Sequence, residues 1–257
     1  MKEHIKKKRR GFVFSVEDVY ATDTQLFCEV FGDSAEDIKS ALRSFSSTGF
    51  CVSLKAQGQT LSQFIAIRTN LCLGCGIYIY ALCTSPLHRK RGYMREIIYM
   101  AKKHFRRCGY KFFLLLPANE RLFSTYERMG FSTRAIAHAT PEINGGSDLL
   151  CDFDTTGLAL QKRSADIAEL YEMSEKTFSF EVFAFSVSYA LENAQVMLFS
   201  DEKGQNGFFI GNGQNAFLCS QNHKSRLKVR REYNALIMPL GLRRIKGDAI
   251  FCEPMPR

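Results

Sequence analysis

Along the first half of the chain, apolar residues fall in short blocks separated by turn formers. Phe12 to Val16 predicts a short strand. Asp33 or Ser34 is placed to cap a helix through about Phe45, and Ser34 with Asp37 three residues later is a capping-box pattern. Phe50 to Leu54 and Phe64 to Arg68 read as two strands around a polar turn at Gly58. Ile77 to Cys83 is a further apolar strand that stops at Pro86. Tyr93 to Cys108 has helical spacing, and Gly109 ends it. Tyr110 to Leu116 predicts a strand closed by Pro117. Asn119 to Met129 predicts a helix closed by Gly130, and Phe131 to Ala139 resumes as a strand. Strands alternating with helices predict an α/β layer structure.

Residues Thr140 to Asp148 carry turn formers and little apolar content, which marks a linker. The expected division is a first domain over 1–138, a linker over 139–148 and a second lobe over 149–257. In that lobe Ser164 to Phe178 and Phe180 to Glu192 predict helices. Val196 to Ser200, Gly207 to Ile210 and Ala216 to Cys219 predict strands. Leu227 to Leu240 predicts another helix, and Ala249 to Cys252 a last strand. The second lobe is therefore also α/β, and smaller.

Composition narrows the class. No apolar run reaches about 18 residues, so no membrane span or membrane partner is expected. Met1 to Arg10 is basic and lacks an apolar segment, so it is not read as a secretory signal, and the run Lys6 to Arg10 reads as a frayed tail. The nine cysteines are odd in number and sit in apolar contexts. Reduced, buried thiols in a cytoplasmic protein fit them better than a disulfide frame.

The net charge of +9 points to anionic partners, and its distribution matters more than its size. Between Arg89 and Lys111 stand nine bases and a single acid, Glu96. A second cluster is Lys224, Arg226, Lys228, Arg230 and Arg231. A polyanionic cofactor explains the first cluster. Lys102 to Arg107 is equally well read as a solvated helix face. A nucleic acid would account for both clusters, but the chain has no Trp and no nucleic-acid motif, so that partner is not expected.

The segment Ala81 to Met94, ALCTSPLHRKRGYM, carries the most chemistry. A strand, a basic turn at Arg89, Lys90 and Arg91, Gly92 and a helix start make a site for a phosphorylated ligand. Amide groups at a helix N-terminus are unpaired, and the helix dipole favours an anion there. Glycine lets a diphosphate approach the backbone.

The turn, Arg89-Lys90-Arg91-Gly92-Tyr93-Met94, resembles the Arg-x-x-Gly-x-small pyrophosphate signature of the Gcn5-related N-acetyltransferase (GNAT) superfamily. It departs at Met94, where the family prefers Gly or Ala. Tyr110 to Phe131, with Asn119 and Tyr126 seven apart, resembles the family's next strand and helix at the usual separation. Phe27 to Asp33 resembles the first-helix region of a two-lobed bacterial branch. The likeness covers roughly residues 12 to 138. It implies a mixed central sheet flanked by helices, with a smaller GNAT-like C-terminal lobe.

The resemblance also implies a function. Acetyl-CoA would be the cosubstrate. Main-chain groups of Leu82, Cys83 and Thr84, on a strand splayed at a bulge, would hold pantetheine. Amides of Arg89, Lys90, Arg91, Gly92, Tyr93 and Met94 would hold the pyrophosphate. Asn119 would contact the cofactor through its side chain, against the plainer reading of a helix cap. Tyr126 would protonate the departing thiolate, against the plainer reading of a packed aromatic. The acceptor would be the amine of a small molecule or peptide, attacking directly in a ternary complex, and the family often forms homodimers. The alternative is an inactive CoA-binding regulatory protein.

No base stands out. Glu29, Asp33, His88, Glu253 and the C-terminal carboxylate of Arg257 are the candidates, and a water chain would serve as well. Cys83 beside His88 reads as a small buried hydrophobe and not as a nucleophile. Cys72 and Cys75 form one CxxC without a second pair, so no metal is expected. Gly211 to Ala216 mimics a dinucleotide fingerprint, but a strand follows it, so a hairpin turn is expected.

Overall fold

A computed structural model describes residues 4–9, 11–71, 73–137, 158–162, 166–174, 176–191, 195–204, 206–211, 216–219, 232–241 and 249–251. They separate into two compact units. One holds the described residues of Met1–Thr133 and Ala235–Lys246, the other those of Arg134–Asn234 and Gly247–Arg257. The expected linker over 139–148 and the basic cluster from Lys224 to Arg231 lie outside the described residues.

In chain order the elements begin with β1 (Ile5–Arg9), β2 (Phe12–Asp18), α1 (Thr24–Phe31), α2 (Ala35–Ser44), β3 (Gly49–Ala56), β4 (Gln59–Leu71) and β5 (Gly74–Thr84). They continue with α3 (Tyr93–Arg107), β6 (Phe112–Leu115), α4 (Arg121–Glu127), β7 (Ser132–Ala137), β8 (Leu158–Lys162), α5 (Ile167–Met173) and α6 (Phe180–Leu191). The last are β9 (Gln195–Asp201), β10 (Asn206–Gly211), β11 (Ala216–Cys219), β12 (Glu232–Pro239) and β13 (Ala249–Phe251).

In the first unit the strands lie in the order β1-β2-β3-β4-β5-β6-β12. Neighbours are antiparallel from β1 to β5, β5 and β6 are parallel, and β12 is antiparallel to β6. Gln57 and Gly58 both take left-handed φ, the twisted two-residue turn that suits the β3–β4 hairpin. Ser34 caps α2 as expected: its hydroxyl accepts from the Asp37 amide at 3.1 Å and donates to Asp37 Oδ2 at 2.6 Å. On one face of the sheet Val16, Val52, Phe64, Ile77 and Ile79 pack with Ile97, Ile98, Ala101 and Phe105 of α3. On the other, α1 packs against α2 and β5, and Phe45 meets the ring of Tyr80 edge-on at 5.2 Å.

Two sequence expectations are corrected here. Lys6 to Arg9 is not a frayed tail but most of β1, paired from Ile5↔Val16 to Arg9↔Phe12. Ile5 packs on the core, the backbone pairs across the Gly11 turn, and the strand shows no apolar alternation. Its lysines suit a sheet edge, where charge discourages further pairing. Leu227 to Leu240 is not a helix, since its described part is β12. Leu236, Ile237 and Met238 are all buried, and they pair with Leu115, Leu114 and Phe113. A strand covered on both faces is apolar without alternation, and periodicity alone does not separate it from a buried helix.

The second unit holds an antiparallel sheet, β11-β10-β9-β8, whose first strand in the chain, β8, the sequence pattern did not reveal. Leu170 of α5 and Phe183 and Val187 of α6 pack on Val196, Leu198 and Phe208. Asp166 caps α5 through the Glu169 amide at 2.7 Å. Separately, β13 runs parallel to β7. No helix among the described residues is long and apolar enough to cross a membrane.

Candidate acyl-CoA site

The two central parallel strands part company within the sheet. Ile77 pairs with Phe113 and Tyr78 with Leu114, and there the β5–β6 register ends. β5 runs on to Thr84 beside β4 alone. Along that stretch Tyr80 opposes Ile65 and Cys83 opposes Gln63, so Ala81 and Leu82 share the place facing Phe64. Ala81 takes φ 51°, a left-handed conformation uncommon for a residue with a Cβ. This is a β-bulge, which bends the strand that carries it. In open α/β sheets, ligands bind beyond the carboxyl ends of parallel strands. Gly76 sets the closeness of the strands below the split, because a Cβ there would lie 2.4 Å from the Phe112 ring.

Leu82 is half-buried and packs on the core. Cys83 is buried, and its carbonyl accepts from the Ser62 hydroxyl at 2.6 Å. The same hydroxyl lies 3.1 Å from Thr84 Oγ1. Burial pushes the Cys83 thiol up to about 12, so it stays protonated at neutral pH and is a poor nucleophile. Beyond Thr84 the Ser85 amide donates to the Leu61 carbonyl at 3.0 Å, and a 3-10 turn over Pro86–His88 follows.

The basic turn then enters α3. Lys90 and Gly92 are both left-handed, with φ 62° and 82°. Gly92 is the N-cap and no side chain caps the helix. Nothing lies within 4 Å of where a Gly92 Cβ would stand. Arg89, Lys90, Arg91 and Gly92 are exposed. Met94, the departure from the signature, is half-buried and packs on the core together with Tyr93 and Leu82. His88 meets Tyr93 edge-on at 6.2 Å, and its buried Nδ1 has no hydrogen-bond partner among the described residues.

Tyr126 belongs to the same core cluster that receives Leu82, Tyr93 and Met94. Its ring meets Phe131 edge-on at 5.7 Å, and burial pushes its phenol up to about 12. Asn119 is exposed and does not cap α4 with its side chain. The N-cap is Glu120, and Asn119 accepts from the Leu122 amide through its main-chain carbonyl.

Two residues near the bulge went unnoticed in the sequence. Gln63 is fully buried opposite Cys83 and bonds twice to Asp23, the N-cap of α1. Tyr80 has its phenol pushed up to about 12 by burial, with the charge of Asp33 adding to the effect. A Ser-Gln pair inside the apolar run from Leu61 to Ile67 was the available signal, because a polar pair in a buried strand needs partners. Of the base candidates, Glu29 and Asp33 are exposed beside this face, while Glu253 and Arg257 lie outside the described residues, as do Cys72 and residues 212–215.

Residues 16–131 match the Acetyltransferase (GNAT) family. These residues form a GNAT acetyltransferase domain. No curated protein sequence matches it. Among solved structures, a GCN5-related N-acetyltransferase from Anabaena variabilis is similar with a TM-score of 0.57 at 10% identity, over 89% of this chain and 73% of that one. Another from Kribbella flavida gives 0.55 at 12% identity, over 88% and 72%. A conserved Enterococcus faecalis protein described as a probable N-acyltransferase gives 0.54 at 14% identity, over 73% of this chain. This chain spans about half, 51%, of that protein. At such identities the likeness is one of fold. The mixed sheet flanked by helices is that of the GNAT fold, and the chain adds a second C-terminal lobe.

Proposed function

We propose that this protein transfers an acetyl group from acetyl-CoA to an amine, by direct attack in a ternary complex. The observation that carries the reading is the continuous path from the β5 bulge, where β5 leaves β6, to the uncapped basic start of α3. Main-chain groups of Leu82, Cys83 and Thr84 hold pantetheine along the edge that β6 has left. First-turn amides of α3 and the open backbone at Gly92 hold the pyrophosphate, with Arg89, Lys90 and Arg91 adding attraction. Met94 does not crowd that turn, because it packs inward. Asn119 reaches the cofactor with its free side chain.

The cosubstrate supplies a thioester carbonyl. An amide of the bulged strand near Cys83 or Thr84 stabilises the negative charge that develops on its oxygen. Tyr126, a neutral phenol at physiological pH, donates its proton to the departing sulfur as the C–N bond forms and the C–S bond breaks. The surplus proton of the amine nitrogen leaves to water, and water restores the phenol.

Calorimetric titration with acetyl-CoA, repeated on an Arg89→Ala, Arg91→Ala double variant, tests the cofactor. Expected is one site per chain, at least about tenfold weaker in the variant. Absence of binding would defeat the enzyme reading. Binding without turnover on any amine acceptor would favour a CoA-responsive regulatory protein.

A further inference from the structure

The outer face of α3 carries more positive charge than a cofactor site uses. Arg95, Tyr99, Lys102 and Arg106 follow the spacing i, i+4, i+7 and i+11, which lines them up on one side of a helix. Lys103 flanks them. Arg95, Lys103 and Arg106 are exposed and Lys102 is half-buried. Among the described residues none of these four cations forms an ion pair. Lys102, Lys103 and Arg106 lie nine or more residues past Tyr93, or about 14–20 Å along the axis. That is too far to serve a pyrophosphate at the helix start. Charges in the last turn complement the helix dipole, which accounts for Arg106 and its neighbour Arg107 but not for Lys102 and Lys103.

Within this row stands an exposed aromatic. Tyr99 is 44% exposed on a helix whose other large apolar residues are buried or half-buried, and Lys103 Nζ sits 4.2 Å from its ring centroid. The inner face of α3, with Ile97, Ile98, Ala101 and Phe105, is locked in the core. The helix therefore has no apolar side left to enter a lipid surface, which a membrane-binding amphipathic helix requires. A row of unpaired cations with an aromatic between them matches what a single-stranded nucleic acid offers: regularly spaced phosphates and unpaired bases with open π-faces. A duplex keeps its bases stacked and leaves Tyr99 no such partner.

We propose that the outer face of α3 is a docking surface for single-stranded nucleic acid. Phosphates lie on Arg95, Lys102, Lys103 and Arg106, and a base stacks on Tyr99 in the place Lys103 now covers. This departs from the expectation from sequence that nucleic acid is not a partner. Binding here does not depend on the cofactor site.

The test is fluorescence anisotropy with a labelled single-stranded RNA of mixed sequence, about 20 nucleotides long, titrated with the full chain over roughly 50–200 mM salt. Four neutralised phosphates predict a log–log salt slope of about −3. A Lys102→Gln, Lys103→Gln, Arg106→Gln variant should flatten the slope to about −1 and weaken binding at low salt by at least about thirtyfold. It should still bind acetyl-CoA like the parent, which shows that it is folded. Tyr99→Ala should weaken RNA binding about tenfold with the salt slope unchanged. Lack of RNA binding at low salt overturns the proposal. So does a triple variant that binds RNA like the parent, equal affinity for the duplex, equal competition by polyglutamate, or binding confined to vesicles of anionic lipid.

Discussion

Gln63 holds both backbone groups of Asp23: its Oε1 accepts from the Asp23 amide at 3.0 Å and its Nε2 donates to the Asp23 carbonyl at 2.7 Å. The start of α1 is thereby fastened to β4 at the position that opposes Cys83 on the bulged strand. Gln63 is 1% exposed, so its amide has no water to turn to. Gln63→Leu should keep the volume and leave the half-buried Asp23 amide without its partner, while the Asp23 carbonyl keeps the Phe27 amide at 3.3 Å, so the expected cost is about 1–3 kcal/mol. Urea unfolding checks this. A midpoint equal to that of the parent would mean that the α1 tether carries no stability.

Gly76 and Phe112 make a second close contact, across the last paired part of β5 and β6. Gly76→Ala places a methyl group against a ring that is itself fully buried. The expected loss is about 1–3 kcal/mol from overpacking, seen as a lower Tm. Combining it with Phe112→Leu should recover part of that loss, and no recovery would locate the strain elsewhere.

Tyr126→Phe separates the proposed proton donor from a packing role. The ring contact with Phe131 survives the substitution, and the phenol has no hydrogen bond to lose among the described residues. Stability and acetyl-CoA binding should therefore hold, while kcat falls by about 10²-fold or more. Unchanged turnover would remove Tyr126 from the mechanism.

Alkali should unfold this protein through groups that lose their protons late. Burial raises Cys51 to about 11, and raises Tyr80, Cys83 and Tyr126 to about 12, against ordinary values of 9.0 for the thiols and 10.0 for the phenols. Each folded-state pKa lies above its unfolded value. The stability they contribute is therefore complete below pH 9 and is lost as pH climbs from 9 to 12, because the unfolded chain gives up its protons first. For Tyr126 alone the loss amounts to about 3 kcal/mol. Denaturant midpoints at several pH values should fall above pH 9, less steeply in Tyr126→Phe. A midpoint that stays level up to pH 11 would contradict the burial of these groups.

The stretch from Ile77 to Arg107 was legible because each element announces itself: an apolar strand, a basic turn with one glycine, and a helix with a clear apolar stripe. The capped start of α2 at Ser34 was legible for the same reason. The bulge at Ala81 was foreshadowed only by the family resemblance, since it depends on how β4 and β5 register and not on any residue type. β1 escaped because a lysine-rich edge strand and a solvated tail have the same composition. β12 escaped because an apolar segment buried on both faces has no period. Gln63 was visible only as a polar residue in an apolar run, and its partner stands forty residues away in the chain.

The strand that closes the sheet beside β6 is made late. Leu236 to Pro239 pair with Leu115 to Phe112, so more than a hundred residues must be synthesised between the two halves of this ladder. While the chain is growing, β6 stands as an open hydrophobic edge whose rightful neighbour does not yet exist. The nascent first unit is in that interval a target for chaperones and for wrong strands. A fragment ended near residue 138, where the linker was expected, would remain in that condition permanently. It would be expected to aggregate even though it contains every residue proposed to touch acetyl-CoA.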